Sequence, residues 1–165
     1  MQSLAAARDC KGRTEPPASV ARSASLAGFD QYMKTLKIDS ALLDTLSAQA
    51  KANPRLRQAY DLRTTPEDNS QRILNAMEPG TILPIHRHRG STETVVVLRG
   101  KIRQNFYDEN GQLTESFEAS AESEIAGFSV ELGRWHNTEC LESGTVILEC
   151  KDGRYEPLSD EDIMN

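Results

Sequence analysis

The chain has three histidines, and two of them, His86 and His88, stand one residue apart in the stretch GTILPIHRHRGSTETVVVLRG. In extended backbone successive side chains alternate sides, so His86 and His88 project together while Arg87 projects the other way. Glu93 follows five residues later, at the start of a valine-rich run that reads as the next strand. Two imidazoles and a carboxylate suit a divalent transition metal such as Fe, Mn, Ni, Co or Zn. The third imidazole, His136, lies in the segment EIAGFSVELGRWHNTEC. With no histidine used elsewhere, the expectation is that His86, His88, Glu93 and His136 meet around one metal ion. No thiolate stands in the motif, which argues against a closed structural zinc site and for a centre with an open position.

Such a site needs strands to hold it. From Ser70 onward apolar residues recur with a period of two. Ser70 to Met77, Ile82 to His88, Thr94 to Leu98, Lys101 to Tyr107, Ser129 to Leu132 and Thr145 to Cys150 read as short strands. Leu113 to Phe117 reads as a further one. Turn residues separate them, and Asn110-Gly111 is a strong hairpin signal. Short strands with no helices between them mean an all-β antiparallel sandwich or barrel.

Ahead of the strands, Asp39-Ser40 offers a helix N-cap, and Leu42, Leu43, Leu46 and Ala50 fall at helical spacing. This predicts about three turns, stopped near Asn53-Pro54, with the apolar stripe packed on the outside of the main domain. The segment RLRQAYDLRTTPEDNS reads as irregular. Its Arg55, Arg57 and Arg63 read first as solvated surface charges, and second as an anion-recognition edge. Residues 1–32 lack apolar periodicity and are expected to form a mobile, disordered extension, leaving 33–165 as a single domain with its barrel at about 70–158. That extension reads as a stretch upstream of Met33 or as a faintly transit-like segment carrying Arg8, Lys11, Arg13 and Arg22; it lacks the apolar core of a secretory signal. The acidic SDEDIMN reads as a short exposed helix or a frayed end.

A net charge of −6 and a pI near 5.1 argue against nucleic-acid or membrane-surface partners. No apolar run approaches the ~20 residues that span a bilayer. Cys10, Cys140 and Cys150 are odd in number and form no C-x-x-C pair, which reads as reduced thiols in a cytoplasmic protein.

The spacing of Gly80, His86-x-His88, Glu93 and Gly100 resembles the first motif of the cupin superfamily at every signature position. Gly133 and His136 match the core of the second motif, although Glu131 stands where proline is usual, Gly127 lies at a shortened spacing and Cys140 stands where asparagine is expected. Over roughly residues 35–158, runs such as SQRILNAMEPGTILPIHRHR and LESGTVILECKDGRYEPL resemble the WbuC-type cupin-fold metalloproteins, a family associated with surface-polysaccharide gene neighbourhoods. The resemblance implies a small antiparallel jelly-roll barrel with an added N-terminal helix. It implies metal ligation by His86, His88, Glu93 and His136, with one or two positions left to water or substrate. It also makes a homodimer reasonable, as many cupins are dimers.

Alternation puts Val95 and Val97 on the face of Glu93, as an apolar wall. Gln71 and Asn75 are candidates to line the pocket; a polar edge strand facing solvent is the other reading of that run. Trp135 reads as packing, and Tyr60, Tyr107 and Tyr155 are possible acid–base groups with nothing to choose among them. Two functions compete. One is a metal-dependent enzyme acting on a small anionic or carbohydrate-derived substrate, linked to surface-polysaccharide biosynthesis. The other is a non-catalytic small-molecule binding or sensor module.

Overall fold

The computed structural model describes residues 35–164, so the expectations for the first 32 residues fall outside it. Helix α1, Ser40–Ala52, opens with the Asp39 side chain accepting from the Leu42 amide at 3.1 Å. That bond satisfies one of the free donors of the first turn. Eight strands follow: β1 Arg57–Asp61, β2 Ser70–Met77, β3 Glu93–Arg99, β4 Lys101–Tyr107, β5 Leu113–Ser120, β6 Gly127–Val130, β7 Trp135–Cys140 and β8 Thr145–Asp152. They form a five-stranded sheet in the order β1-β2-β8-β3-β6 and a three-stranded sheet in the order β5-β4-β7. Every pairing is antiparallel.

Both faces of the larger sheet are used. On one face Leu74, Ala76 and Val146 pack with Leu43, Leu46 and Ala50 of α1, as the helical spacing predicts. On the other face Met77, Val95, Val97 and Ile147 meet Ile102, Ala119 and Cys140 from the smaller sheet. Each buried Leu or Ile in these clusters contributes about 1.5–3 kcal/mol by leaving water.

Three elements differ from the sequence expectation. The stretch Ile82 to His88 is extended but is no strand; His86 makes isolated bridges to His136 and Ile163 instead. Pro84 removes one backbone donor there, so a continuous ladder cannot form. Arg57–Asp61, expected to be irregular, pairs with β2 as an edge strand. Trp135–Cys140 pairs with β4 although its sequence, WHNTEC, carries little strand signal.

The two glycines that bracket the first motif lie at φ +93 (Gly80) and φ +75 (Gly100). A side chain at Gly100 would also meet the Thr145 Cα at 2.8 Å. Gly133 has a similar φ of +73 but open space around it. Gly100→Ala should therefore cost about 2–5 kcal/mol, combining left-handed strain and a backbone clash. Gly133→Ala should cost only about 1–2 kcal/mol. Denaturant unfolding of the two variants checks the contrast, and equal losses would contradict it.

Candidate metal centre

The geometry of the site starts from a backbone pair. His86 and His136 exchange two hydrogen bonds, His86 N to His136 O at 2.9 Å and His136 N to His86 O at 2.8 Å. Directly opposed residues of an antiparallel pair share a face, so their rings come together, with centroids 4.4 Å apart. His88, two residues on, brings its ring centroid to 5.0 Å from that of His86. Ligand nitrogens of the three rings lie within 4.8 Å of one another. Glu93, at the start of β3, places Oε2 3.3 Å from His88 Nε2 and 3.5 Å from His136 Nε2.

Ring orientation is fixed from behind. The Pro84 carbonyl lies 3.0 Å from His86 Nδ1, and the Arg134 carbonyl 2.8 Å from His136 Nδ1. A carbonyl only accepts, so each Nδ1 carries the proton and each Nε2 lone pair points into the cluster. His88 Nε2 and Glu93 Oε2 are buried, yet their approach is not aligned as a hydrogen bond and each lacks a partner. Buried polar atoms are nearly always satisfied, so two orphaned lone pairs aimed at one point, beside two more imidazole nitrogens, fit a divalent cation.

The electrostatics favour ready-made ligands. Burial, reinforced by the neighbouring charge of His136, pushes His86 down to about 4, so this imidazole is neutral at ordinary pH. Burial works against ionised Glu93, but the adjoining imidazoles of His136 and His88 and the ammonium of Lys151 outweigh it. The carboxyl is held below its usual range. Lys151 Nζ stands 3.6 Å from Glu93 Oε2 and 3.3 Å from Glu149 Oε2. Burial disfavours the charged Lys151, but the two carboxylates overcome it and raise its pKa. Glu149 is driven upward by its burial and by the charge of Glu93.

Pairing places the remaining expected residues. Gln71 lies opposite Lys151, and Asn75 opposite Ile147, so both belong to the face that carries Glu93, Val95 and Val97. Gln71 Nε2 donates to the Arg154 carbonyl at 3.2 Å. Arg57 opposes Met77 and joins the same face from β1. Arg63 instead pairs with Asp61 at 2.8 Å, as a surface charge. Trp135 is buried packing: Arg87 lies over its ring at 4.2 Å, and its Nε1 donates to Glu109. None of the three tyrosines suits acid–base work. Tyr60 packs beneath α1, Tyr107 lies opposite Trp135 and so faces away from His136, and Tyr155 is exposed. Lys151 was missed because the expected strand stopped at Cys150, and Glu149, inside that strand, because a polar residue there reads equally well as surface. The alternation Ile147, Glu149, Lys151 was the available signal, two charges continuing an apolar face.

The acidic C-terminal segment is no frayed end. A 3-10 turn, Asp160–Asp162, leads residues 162–164 alongside the histidine-bearing stretch, with Arg87 N donating to Asp162 O and Met164 N to Ile85 O. Asp162 Oδ1 takes Arg87 Nε at 3.1 Å and Arg89 Nε at 2.6 Å, clamping both neighbours of His88.

With this geometry in view, comparisons give the family context. A family model described as "Domain of unknown function (DUF6016)" matches residues 38–119, a stretch holding His86, His88 and Glu93 but ending before His136. No curated protein matches the chain. CapF in complex with the inhibitor 3-isopropenyl-tropolone is 23% identical with a TM-score of 0.52, covering 60% of this chain and 28% of that one. The capsular polysaccharide assembling protein CapF from Staphylococcus aureus is 22% identical with a TM-score of 0.51, covering 60% and 27%. KdgF from Halomonas sp. is 16% identical with a TM-score of 0.50, covering 62% and 84%. The fold is that of the cupins. This chain spans little more than a quarter of the CapF chain. Among its described residues no helix is long and apolar enough to cross a membrane.

Two outcomes follow for this protein. Unfolded, His86 titrates near 6.5; folded, near 4. Between those values the unfolded chain binds the extra proton, so this contribution to stability is complete above pH 6.5 and lost as pH falls to 4. Lowered Glu93 adds a loss of the same sign further into acid. The melting temperature of metal-free protein should drop from pH 6.5 to 4, and His86→Ala should flatten that slope; an unchanged slope would remove His86 as its source. Asp162→Ala should speed amide exchange across 85–89 and weaken zinc binding about tenfold, as loss of a ligand-orienting partner does. Unaltered zinc affinity would reduce the clamp to surface ion pairing.

Proposed function

We propose that this cupin is a metal-dependent enzyme acting on a small anionic or carbohydrate-derived substrate, with His86, His88, Glu93 and His136 as the ligands of one divalent ion. The observation carrying this reading is the convergence of three imidazoles on the orphaned Glu93 Oε2. Three nitrogens and one carboxylate oxygen admit Fe, Mn, Ni, Co or Zn. Such an ion, when bound, supplies Lewis-acid polarisation of a substrate oxygen, or redox chemistry if it is iron.

The chain's own residues add the rest. Neutral His86 and ionised Glu93 need shed no proton to serve as ligands near neutrality. Val95 and Val97 form an apolar floor that excludes water from one side. Lys151 is the cation nearest the cluster, and Arg57 is a half-buried guanidinium without an ion-pair partner among the described residues. Those two cations support an anionic substrate, which a planar guanidinium recognises well. Gln71 and Asn75 are proposed as pocket lining on the strength of their register.

The finer assignment, a WbuC-type member tied to surface-polysaccharide biosynthesis, rests on the sequence resemblance. The capsular polysaccharide likeness of CapF is in keeping with it at the level of fold. The expectation of a cytoplasmic homodimer rests on the resemblance and on the thiol pattern alone. A non-catalytic binding or sensor module remains the second reading, because the same cluster could hold a ligand without turning it over.

Elemental analysis of protein purified without added metal tests the proposal, followed by turnover assays on a panel of sugar acids. A single divalent ion per chain is expected, with affinity falling more than about 100-fold in His86→Ala and His136→Ala, beyond the loss typical of outer partners. Turnover should vanish in both variants. Metal retained undiminished in them would refute the site. Because two apolar clusters hold the fold independently of the cluster, chelation should leave the sheets intact; unfolding would indicate a structural ion instead.

A further inference from the structure

Three buried side-chain polar atoms lack a partner among the described residues, and two of them, His88 Nε2 and Glu93 Oε2, belong to the metal centre. The third is Gln104 Nε2. Gln104 is fully buried in the middle of β4. Its Oε1 accepts from Thr138 Oγ1 at 2.7 Å, which fixes the amide and leaves the nitrogen as the free end. Turning the amide over would only transfer the deficit to the oxygen. A buried donor without an acceptor is costly enough to call for an explanation.

Register places this donor. Along β4 and β7, Phe106 opposes His136, Gln104 opposes Thr138 and Ile102 opposes Cys140. Ile102 and Cys140 belong to the apolar cluster between the sheets, so Gln104 and His136 also face the interior. Gln104 therefore lies one step deeper than His136, between the three imidazoles and the apolar floor. The inner face of the opposing sheet carries Lys151, Glu149 and Asn75. Lys151 and Arg57 bring two cations to this face, beside the carboxyl groups of Glu93 and Glu149. A divalent ion would add further positive charge to that interior.

We propose that Gln104 is a specificity-determining residue, donating from Nε2 to an oxygen of a small oxyanion-bearing ligand held beneath the three histidines. The inference rests on the metal-centre reading above. A sugar acid, with its carboxylate and several hydroxyls, has the chemistry that a positive interior and a buried amide donor would select. A site built around a buried donor also discriminates strongly against analogues lacking the matching acceptor.

The test is calorimetric titration of the metal-loaded protein with glucuronate, with glucose as the neutral control and inorganic phosphate as the alternative oxyanion. Glucuronate should bind, and glucose at least about tenfold more weakly. Gln104→Met and Gln104→Leu should weaken glucuronate binding by about 10–100-fold, the usual consequence of losing a hydrogen bond to a charged group. Metal content should stay unchanged in both. Gln104→Glu, which sets a carboxylate against the ligand's own, should abolish binding. Binding of phosphate in place of glucuronate, with the same sensitivity to these variants, would keep the proposal and name phosphate as the oxyanion. Equal affinity in the variants, glucose bound as tightly as glucuronate, or no oxyanion bound by metal-loaded wild type would overturn it and leave the metal centre standing. Misfolding of all three variants would also overturn it, by giving the amide a structural role. Wild-type protein that takes up no metal would instead defeat the reading on which the inference rests.

Discussion

The two hydrogen bonds exchanged between His86 and His136 are the constraint on which the site depends. They join an extended stretch that belongs to neither sheet to β7 of the smaller one. Without them His86 and His88 would ride on a loop, and their rings would sample many positions. With them, three imidazoles sit within one ion's reach. The remaining ordering comes from carbonyls behind two of the rings and from the Asp162 clamp. Backbone, not side-chain packing, therefore sets the geometry, which suits a site whose ligand distances must be tight.

The larger sheet serves two masters. One face packs Leu74, Ala76 and Val146 against α1; the other begins apolar at Met77, Val97 and Ile147 and turns polar toward Glu93 and Lys151. A buried carboxylate is expensive on its own, and Glu93 is tolerated because Lys151 and two imidazoles surround it. The apolar end supplies the stability that the polar end consumes. Function and folding are thus separated along the length of the same strands.

Much of the fold was legible in the sequence because local rules were strong. Asp39 as cap and leucines at helical spacing mark α1, and period-two alternation marks β2 and β4 to the residue. What failed was decided by distant partners. WHNTEC becomes a strand only because β4 lies beside it, and Arg57–Asp61 only because β2 offers a free edge. The stretch 82–88 went the other way, since Pro84 and the competing bridges broke up an apparently regular alternation. At the site, the spacing of His86, His88 and Glu93 was visible because chemistry limits which residues can ligate metal. Gln104, Glu149 and Lys151 were not, because a polar residue on a short strand reads equally well as surface. Only the register shows which way it points.

His86 and His136 lie fifty positions apart, with four strands between them. Closing a loop of that length in an unfolded chain costs about 3–4 kcal/mol of entropy. Before folding, only the local His86–His88 pair is available, so the unfolded chain is a poor competitor for an ion that needs all three rings. An ion that prefers the assembled cluster pulls the folding equilibrium with nearly its full binding energy. Were the proposed ion bound, the resistance of this protein to heat would gauge free metal in its surroundings.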